Sequence, residues 1–186
     1  MKIIYILICM LGLTACAGLN PNPGERTVDV AWEKYDYNTA FKVLMPAAER
    51  GEPWAQLRVG VAYELGSGVI KDIPAAIKWY EKAASQEADG NWANGQLVGA
   101  AGKAGYFNQN SDALIAKFQL ANIYLRGEGV PQDAAKALEL AQYVSDRTQG
   151  SSIFYCCEFS GGRYIANTAI AETLSKAKLA KAQATK

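Results

Sequence analysis

Two stretches of this chain carry one pattern, 61 positions apart. Ala55, Tyr63, Gly66, Gly68, Val69 and Asp72 return as Ala116, Tyr124, Gly127, Gly129, Val130 and Asp133 at unchanged spacing. A match of that length marks a repeated supersecondary unit. Such units stack, because none can cover its apolar face alone. This constrains the fold more than any other feature of the sequence. It also favours an extended binding surface over an enclosed catalytic pocket.

A second offset is 36: Asp36, Ala40, Lys42, Ala47 and Ala48 return as Asp72, Ala76, Lys78, Ala83 and Ala84. A helix pair with two turns fills about that length, so 36 is the period. The longer shift then contains an insertion or a degenerate unit. Asp36, Asp72 and Asp133 each precede an amphipathic run, as N-caps do. Gly66 and Gly127 close helices where φ is often positive. Pro74 falls in a first turn, where a missing N–H costs little. Pro46 sits inside a helical run and is expected to kink or loosen it. The pattern predicts helices over 28–34, 37–50, 54–65, 74–86, 92–104, 112–126, 134–147, 152–158 and 163–183. Ala55, Val59 and Tyr63 share one helical face, as do Ala76, Trp79, Tyr80 and Ala83 on the next helix. Residues 87–111 are different. Trp92-Ala93 echoes Trp54-Ala55, yet Gly90, Gly95, Gly99, Gly102 and Gly105 weaken any helix there. Each interior glycine costs up to about 1 kcal/mol relative to alanine. This stretch is expected to break the regular superhelix.

The chain has 186 residues, a length suited to one domain with a substantial core. It begins with Lys2 and an apolar run, Ile3 to Leu13, too short to span a bilayer as a stable helix. That combination reads as a secretory signal. The run ends in Leu13-Thr14-Ala15-Cys16, which resembles the lipobox of bacterial lipoprotein precursors; an ordinary signal peptide that happens to carry a cysteine is the other reading. The resemblance implies cleavage before Cys16 and a covalent lipid on its sulfur. Two or more acyl chains hold a domain on a membrane stably. Ala17, where Asp would favour inner-membrane retention, implies the periplasmic face of the outer membrane in a Gram-negative cell. Residues 1–15 are then a lipoprotein signal peptide. Residues 16–27, with Asn20-Pro21-Asn22-Pro23-Gly24, are a lipidated tether, and residues 28–186 are the repeat domain. The chain carries 19 Lys and Arg against 18 Asp and Glu, and loss of Lys2 makes the two signs equal. A neutral protein has no electrostatic footprint for nucleic acid.

Residues 55–84 resemble a Sel1-like repeat, a relative of the tetratricopeptide repeat. Ala55, Val59, Gly60, Tyr63, Gly66, Gly68, Val69, Asp72, Ala76, Trp79, Tyr80, Lys82, Ala83 and Ala84 carry the resemblance. Residues 116–145 match in their first half and drift after Ala137, where Leu140 and Ala141 replace the Trp-Tyr pair. Residues 36–51 match a second half alone. The units so defined are a half unit at 36–51, a unit at 54–86, a degenerate insertion at 87–111, a unit at 112–147 and a C-terminal cap at 150–186. The resemblance implies an all-α, tetratricopeptide-like helix-pair solenoid, a right-handed superhelix whose concave side is lined by the first helix of each pair.

Chemistry is sparse. The chain has no His, which excludes a Ser-His-Asp triad and any His-containing zinc site. Gly66-x-Gly68 and Gly127-x-Gly129 lack the third glycine and the Lys-Ser/Thr of phosphate loops. Ser175-x-x-Lys178 matches the first motif of penicillin-binding enzymes, but Ser-Asp-Asn and Lys-Thr-Gly are absent. Glu49 and Glu52 read as a solvated face. Cys156 and Cys157 are adjacent thiols: a strained vicinal disulfide, two apolar buried thiols and a mixed disulfide with a partner all fit. The expectation is no catalysis, no metal and no cofactor beyond lipid on Cys16. Aromatic content points instead to binding. Trp79 is core by repeat position, while Trp54 and Trp92 start helices as core staples or as interface anchors. The expected partner-binding set is Trp54, Arg58, Val61, Glu64, Trp92, Gln119, Asn122 and Arg126. The chain thus reads as an envelope module that binds another protein and is held to the membrane by lipid. Lipoproteins of this kind resemble immunity proteins that neutralise type VI secretion toxins, the role this small anchored chain suits best. They also resemble scaffolds of envelope assembly or polysaccharide export. A β-lactam- or peptidoglycan-associated enzyme or binding protein is the reading from another class.

Overall fold

The computed structural model describes residues 23–86, 111–149, 153–154, 164–165 and 167–184. Seven helices and one short ladder fill them. These are α1 (Pro23–Glu33), α2 (Tyr37–Glu49), α3 (Pro53–Leu65), α4 (Ile73–Ser85), α5 (Ser111–Arg126), α6 (Ala134–Thr148), β1 (Ile153–Phe154), β2 (Tyr164–Ile165) and α7 (Asn167–Ala184). Each helix packs on its sequence neighbours, and α3 also touches α5, which touches α7. The architecture is an all-α helical-repeat solenoid. Pairs α1–α2, α3–α4 and α5–α6 stack in order, and α7 closes the row. The first helix of each pair is called an A helix below, the second a B helix.

The three aspartates cap their B helices. Asp36 accepts from the Thr39 N–H at 3.1 Å, Asp72 from Ala75 at 2.9 Å and Asp133 from Lys136 at 2.8 Å. Gly66 and Gly127 end α3 and α5 at φ 75° and 67°, and each N–H returns to the carbonyl four residues back.

The second glycine of each Gly-x-Gly turn has another role. A Cβ on Gly68 would overlap the Tyr37 carbonyl, its carbon only 2.7 Å away; one on Gly129 would stand 2.7 Å from Ile73 Cβ. Tyr37 and Ile73 open α2 and α4 and are themselves 36 residues apart. Each turn therefore rests on the start of the preceding B helix, and only glycine permits the approach. At the opposite end, Gln56 of α3 donates to the Ala48 carbonyl of α2 at 3.2 Å, and Lys117 of α5 donates to the Ala84 carbonyl of α4. Gln56 and Lys117 are 61 apart, and Ala48 and Ala84 are 36 apart. The two offsets meet in space: α5 stacks on α4 as α3 stacks on α2. Residues 87–110 are thus inserted between two units that pack directly.

The core has two parts. Val28, Ala31, Ala40, Leu44, Ala47, Ala48, Ala55 and Val59 join α1, α2 and α3. Leu57, Ile77, Tyr80, Leu114, Ile115, Ile123, Val144 and Ile170 belong to the second, which runs from α3 to α7. Small residues seat the large ones. Gly60 faces the Tyr80 ring, where a Cβ would stand 2.5 Å from Cδ1. In the next unit the equivalent residues are Ala121 and Ala141, both buried. Loss of the ring there makes room for the methyl group. This explains physically why the second match drifts.

Several expectations are corrected. Helix α1 starts at Pro23, so residues 23–27, read as tether, belong to it. It also supplies the first helix of the half unit at 36–51. Helix α2 runs through Pro46 to Glu49 without a break. The proline lies in the last turn with an exposed ring, so it removes only one bond near the helix end. Within the stretch 152–158, expected as helix, the described residues are strand: Ile153 pairs with Ile165 and Phe154 with Tyr164 in an antiparallel ladder. β-Branched and aromatic residues on both sides favour that pairing. The predicted helix at 163–183 consequently begins at Asn167. Trp79, read as core, is half-buried against the first core part, with Lys82 Nζ 3.8 Å from its ring centre. The helix expected at 92–104 and most of the 87–111 insertion lie outside the described residues.

Candidate protein-interaction face

The A helices α3 and α5 pack on one another and α5 packs on α7, while contacts between successive B helices are sparser. Elements closer together on one side of a stack lie inside its curve. The A helices therefore line the inner side, where the sequence placed the partner contacts.

Trp54 opens α3, half-buried, and its indole N–H donates to Glu52 Oε2 at 2.7 Å. The Arg58 guanidinium stands 5.8 Å from its ring centre and pairs with Asp29 of α1. Val61 is half-buried against the second core part. Glu64 accepts from the Tyr80 hydroxyl at 2.6 Å and from Arg126 of α5 at 3.0 Å. Gln119 is half-buried on α5. Asn122 donates to the Phe118 carbonyl at 2.9 Å and accepts from Thr173 Oγ1 of α7 at 3.1 Å. Arg126 also pairs with Glu128 at 3.5 Å. Trp92, Cys16, Cys156 and Cys157 lie outside the described residues.

Half of the expected contact set is thus engaged with side chains of neighbouring helices. Arg58–Asp29, Glu64–Arg126 and Asn122–Thr173 are three rungs of one ladder, joining α1 to α3, α3 to α5 and α5 to α7. Sequence reading placed these residues on the inner face but missed Asp29 and Thr173. Their signal was available only as polar side chains at helical spacing. Asp112 was missed too. It is half-buried at the start of α5, and burial pushes its carboxyl above the usual range while the Arg58 charge opposes the shift. Arg58 thus pairs with a carboxylate of α1 and acts electrostatically on one of α5.

Trp54, Val61 and Gln119, the other described members of the expected set, are half-buried on α3 and α5. Among the described residues no group of three His, Cys, Asp or Glu side chains is placed to hold a metal ion, and no helix is long and apolar enough to cross a membrane. Ser175 and Lys178 stand exposed on α7. What such a face can do is recognise shape and charge across several helices at once.

The Sel1 repeat family model matches residues 55–87 and 114–143. The chitin synthase regulator SKT5 of Saccharomyces cerevisiae is 42% identical over 80 residues, 43% of this chain and 10% of that protein. This chain spans about a tenth of that relative. Among solved structures, a Sel1 repeat protein from Oxalobacter formigenes is 22% identical with a TM-score of 0.45, covering 66% of this chain and 44% of the other. The protective antigen c5321 of uropathogenic Escherichia coli, with an SLR fold, is 20% identical with a TM-score of 0.47, covering 91% and 32%. The two stretches that match the Sel1 repeat model take in most of the helix pairs α3–α4 and α5–α6.

Proposed function

We propose that this chain is a lipid-anchored module of the bacterial envelope that binds one protein partner along its A-helix face. The observation that carries the reading is the contiguous row α3–α5–α7, joined by side-chain ladders and carrying the half-buried Trp54, Val61 and Gln119 on its first two helices. A face held rigid before binding loses little conformational entropy when a partner docks. The lipobox-like Leu13-Thr14-Ala15-Cys16 supports the anchor, and Ala17 supports the outer membrane of a Gram-negative cell.

Within this reading the partner is a toxin delivered into the periplasm, which the module neutralises by occupying it. A membrane-held binding domain stands where such toxins arrive. Cys16→Ser should move the protein from the membrane to the soluble fraction; unchanged fractionation refutes the anchor. Calorimetric titration against a panel of periplasmic toxins should yield one saturable complex. Gln119→Arg should weaken it at least about tenfold, the size of a moderate hot-spot loss, with helicity retained by circular dichroism. Saturable binding that Gln119→Arg leaves unchanged would place the interface elsewhere. Binding of envelope-assembly proteins in place of toxins would make the chain a scaffold.

A further inference from the structure

Exposed large apolar residues occur on helices, Val30 on α1 and Leu179 on α7, and also where A helices meet their turns. Among the described residues they include Tyr35, 78% exposed, Leu65, 64%, and Ile70, 87%. Tyr35 and Ile70 lie in turns that join an A helix to its B helix, and Leu65 is the last residue of α3, next to the second of these turns. Those turns lie side by side along one edge. Gly68 seats the 66–72 turn on the start of α2, and Lys71 pairs with Glu128 of the following turn at 2.6 Å.

Tyr35 occupies its place at a cost. Its φ is 59°, the left-handed region that Gly66 and Gly127 occupy at the ends of the other two A helices. A bulky L residue there is strained relative to glycine. Burial does not compensate, because the ring is mostly in solvent. Its ring partner is Tyr37, edge-on at 6.2 Å, and Tyr37 meets Trp32 at 5.2 Å. The edge therefore displays an aromatic step beside an isoleucine at a turn tip.

We propose that this turn edge, Tyr35, Leu65 and Ile70, lies in the membrane interface. Tyrosine and tryptophan favour that layer because an apolar ring and a polar tip are satisfied together. An isoleucine on a turn tip gains from leaving water. The proposal rests on the lipid at Cys16. The seven peptide steps from Cys16 to Pro23 reach at most about 25 Å, and α1 carries the chain about 18 Å from Pro23 to Tyr35. An acyl group on Cys16 and the turn edge can therefore share one bilayer surface. A tether this short also keeps the domain close to that surface, so the apolar edge meets it at high effective concentration.

The test uses the full lipidated chain in phosphatidylethanolamine–phosphatidylglycerol vesicles, with and without brominated acyl chains. Ile70→Trp places a reporter on the edge, and Glu49→Trp places one at the far end of α2. Emission added by each substitution is read against the unsubstituted chain. Bromine should quench the emission of the residue-70 reporter at least about twofold, as expected for an indole at headgroup depth, and leave the residue-49 reporter unchanged. If the protein floats with the vesicles but the residue-70 reporter is unquenched, the edge faces away from the bilayer and the proposal fails while the anchor stands. That outcome leaves the edge to a protein partner. If the protein does not float, both readings fail. In the Cys16→Ser chain, Tyr35→Gly should raise the melting temperature. A fall would show that the ring serves the fold, and would overturn the inference.

Discussion

Gly68 shows how one missing Cβ sets the stacking of two units. Gly66 and Gly68 share a turn and a positive φ, so both resist substitution for backbone reasons. They differ in surroundings. A Cβ on Gly66 would stand 3.3 Å from Lys71 Cβ and 3.4 Å from its backbone N, close to ordinary contact; on Gly68 it would overlap the Tyr37 carbonyl oxygen, a clash that requires the backbone to move. Gly66→Ala should cost about 1 kcal/mol, the left-handed penalty alone. Gly68→Ala should cost at least about 3 kcal/mol, because α2 must also move. Urea denaturation of the two variants measures the difference, and equal losses would refute the packing role. Glu128 offers a second test at this scale. The hydrogen bond and charge of Lys71, with help from Arg126, hold its carboxyl below the usual range. A lowered folded value means stability that is present above about pH 4.5 and lost as pH falls through that folded value. Glu128→Gln should therefore lower the melting temperature at pH 7 and leave it nearly unchanged at pH 3. A loss that persists at pH 3 would mean the side chain acts through packing.

Between helices, the same contact is made by different chemistry in successive units. Gln56 and Lys117 occupy equivalent positions and donate to equivalent carbonyls, Ala48 and Ala84. The amide does so without charge. The ammonium is pulled below the usual lysine range, first by burial and then by Arg147. Lys117→Gln should thus keep the bond and remove a burial cost, leaving the melting temperature equal or higher. Lys117→Ala should lose about 1 kcal/mol, since the Ala84 carbonyl loses this donor. Thermal unfolding of both variants decides; a drop for Gln as large as that for Ala would show that the charge is required. Much at this scale was legible in sequence. Asp36, Asp72 and Asp133 announce their helices because N-capping is local chemistry. Gly66 and Gly127 announce the ends for the same reason. Gln56 and Lys117 did not announce themselves, because their acceptors lie on another unit. The inner-face residues were only half legible for that reason too. Helical spacing placed Arg58, Glu64, Asn122 and Arg126 on the A helices, but Asp29, Tyr80 and Thr173, which their polar groups engage, come from other helices. Ile153 to Phe154 was misread as helix because its strand partner follows only after a stretch rich in glycine.

At the scale of the whole molecule, the stacking does not follow the chain. Between α2 and α3 three residues suffice, 50–52; between α4 and α5 the chain takes residues 86–110. Yet both junctions are built alike, with a B-helix C-terminal carbonyl bonded to the incoming A helix and a Gly-x-Gly turn seated on a B-helix start. If the units pack directly, the inserted residues are dispensable for stacking. Nearest-neighbour contacts then carry the stability of the array, and a shorter connection lowers the entropy of closing the loop, a term that grows only slowly with length. Replacing residues 87–110 by three Gly or Ser residues should therefore preserve helicity and cooperative unfolding, with a melting temperature equal to or above that of the full chain. Lys117 and Ala84 already hold the ends close, since the bond between them lies within two turns of the α5 start and at the α4 end. A shortened chain that loses its cooperative transition and binds an apolar dye would show that residues 87–110 complete the core. A folded shortened chain that no longer binds a partner bound by the full chain would assign the insertion a part in recognition. In that case stacking and binding would be encoded in separate stretches of one solenoid.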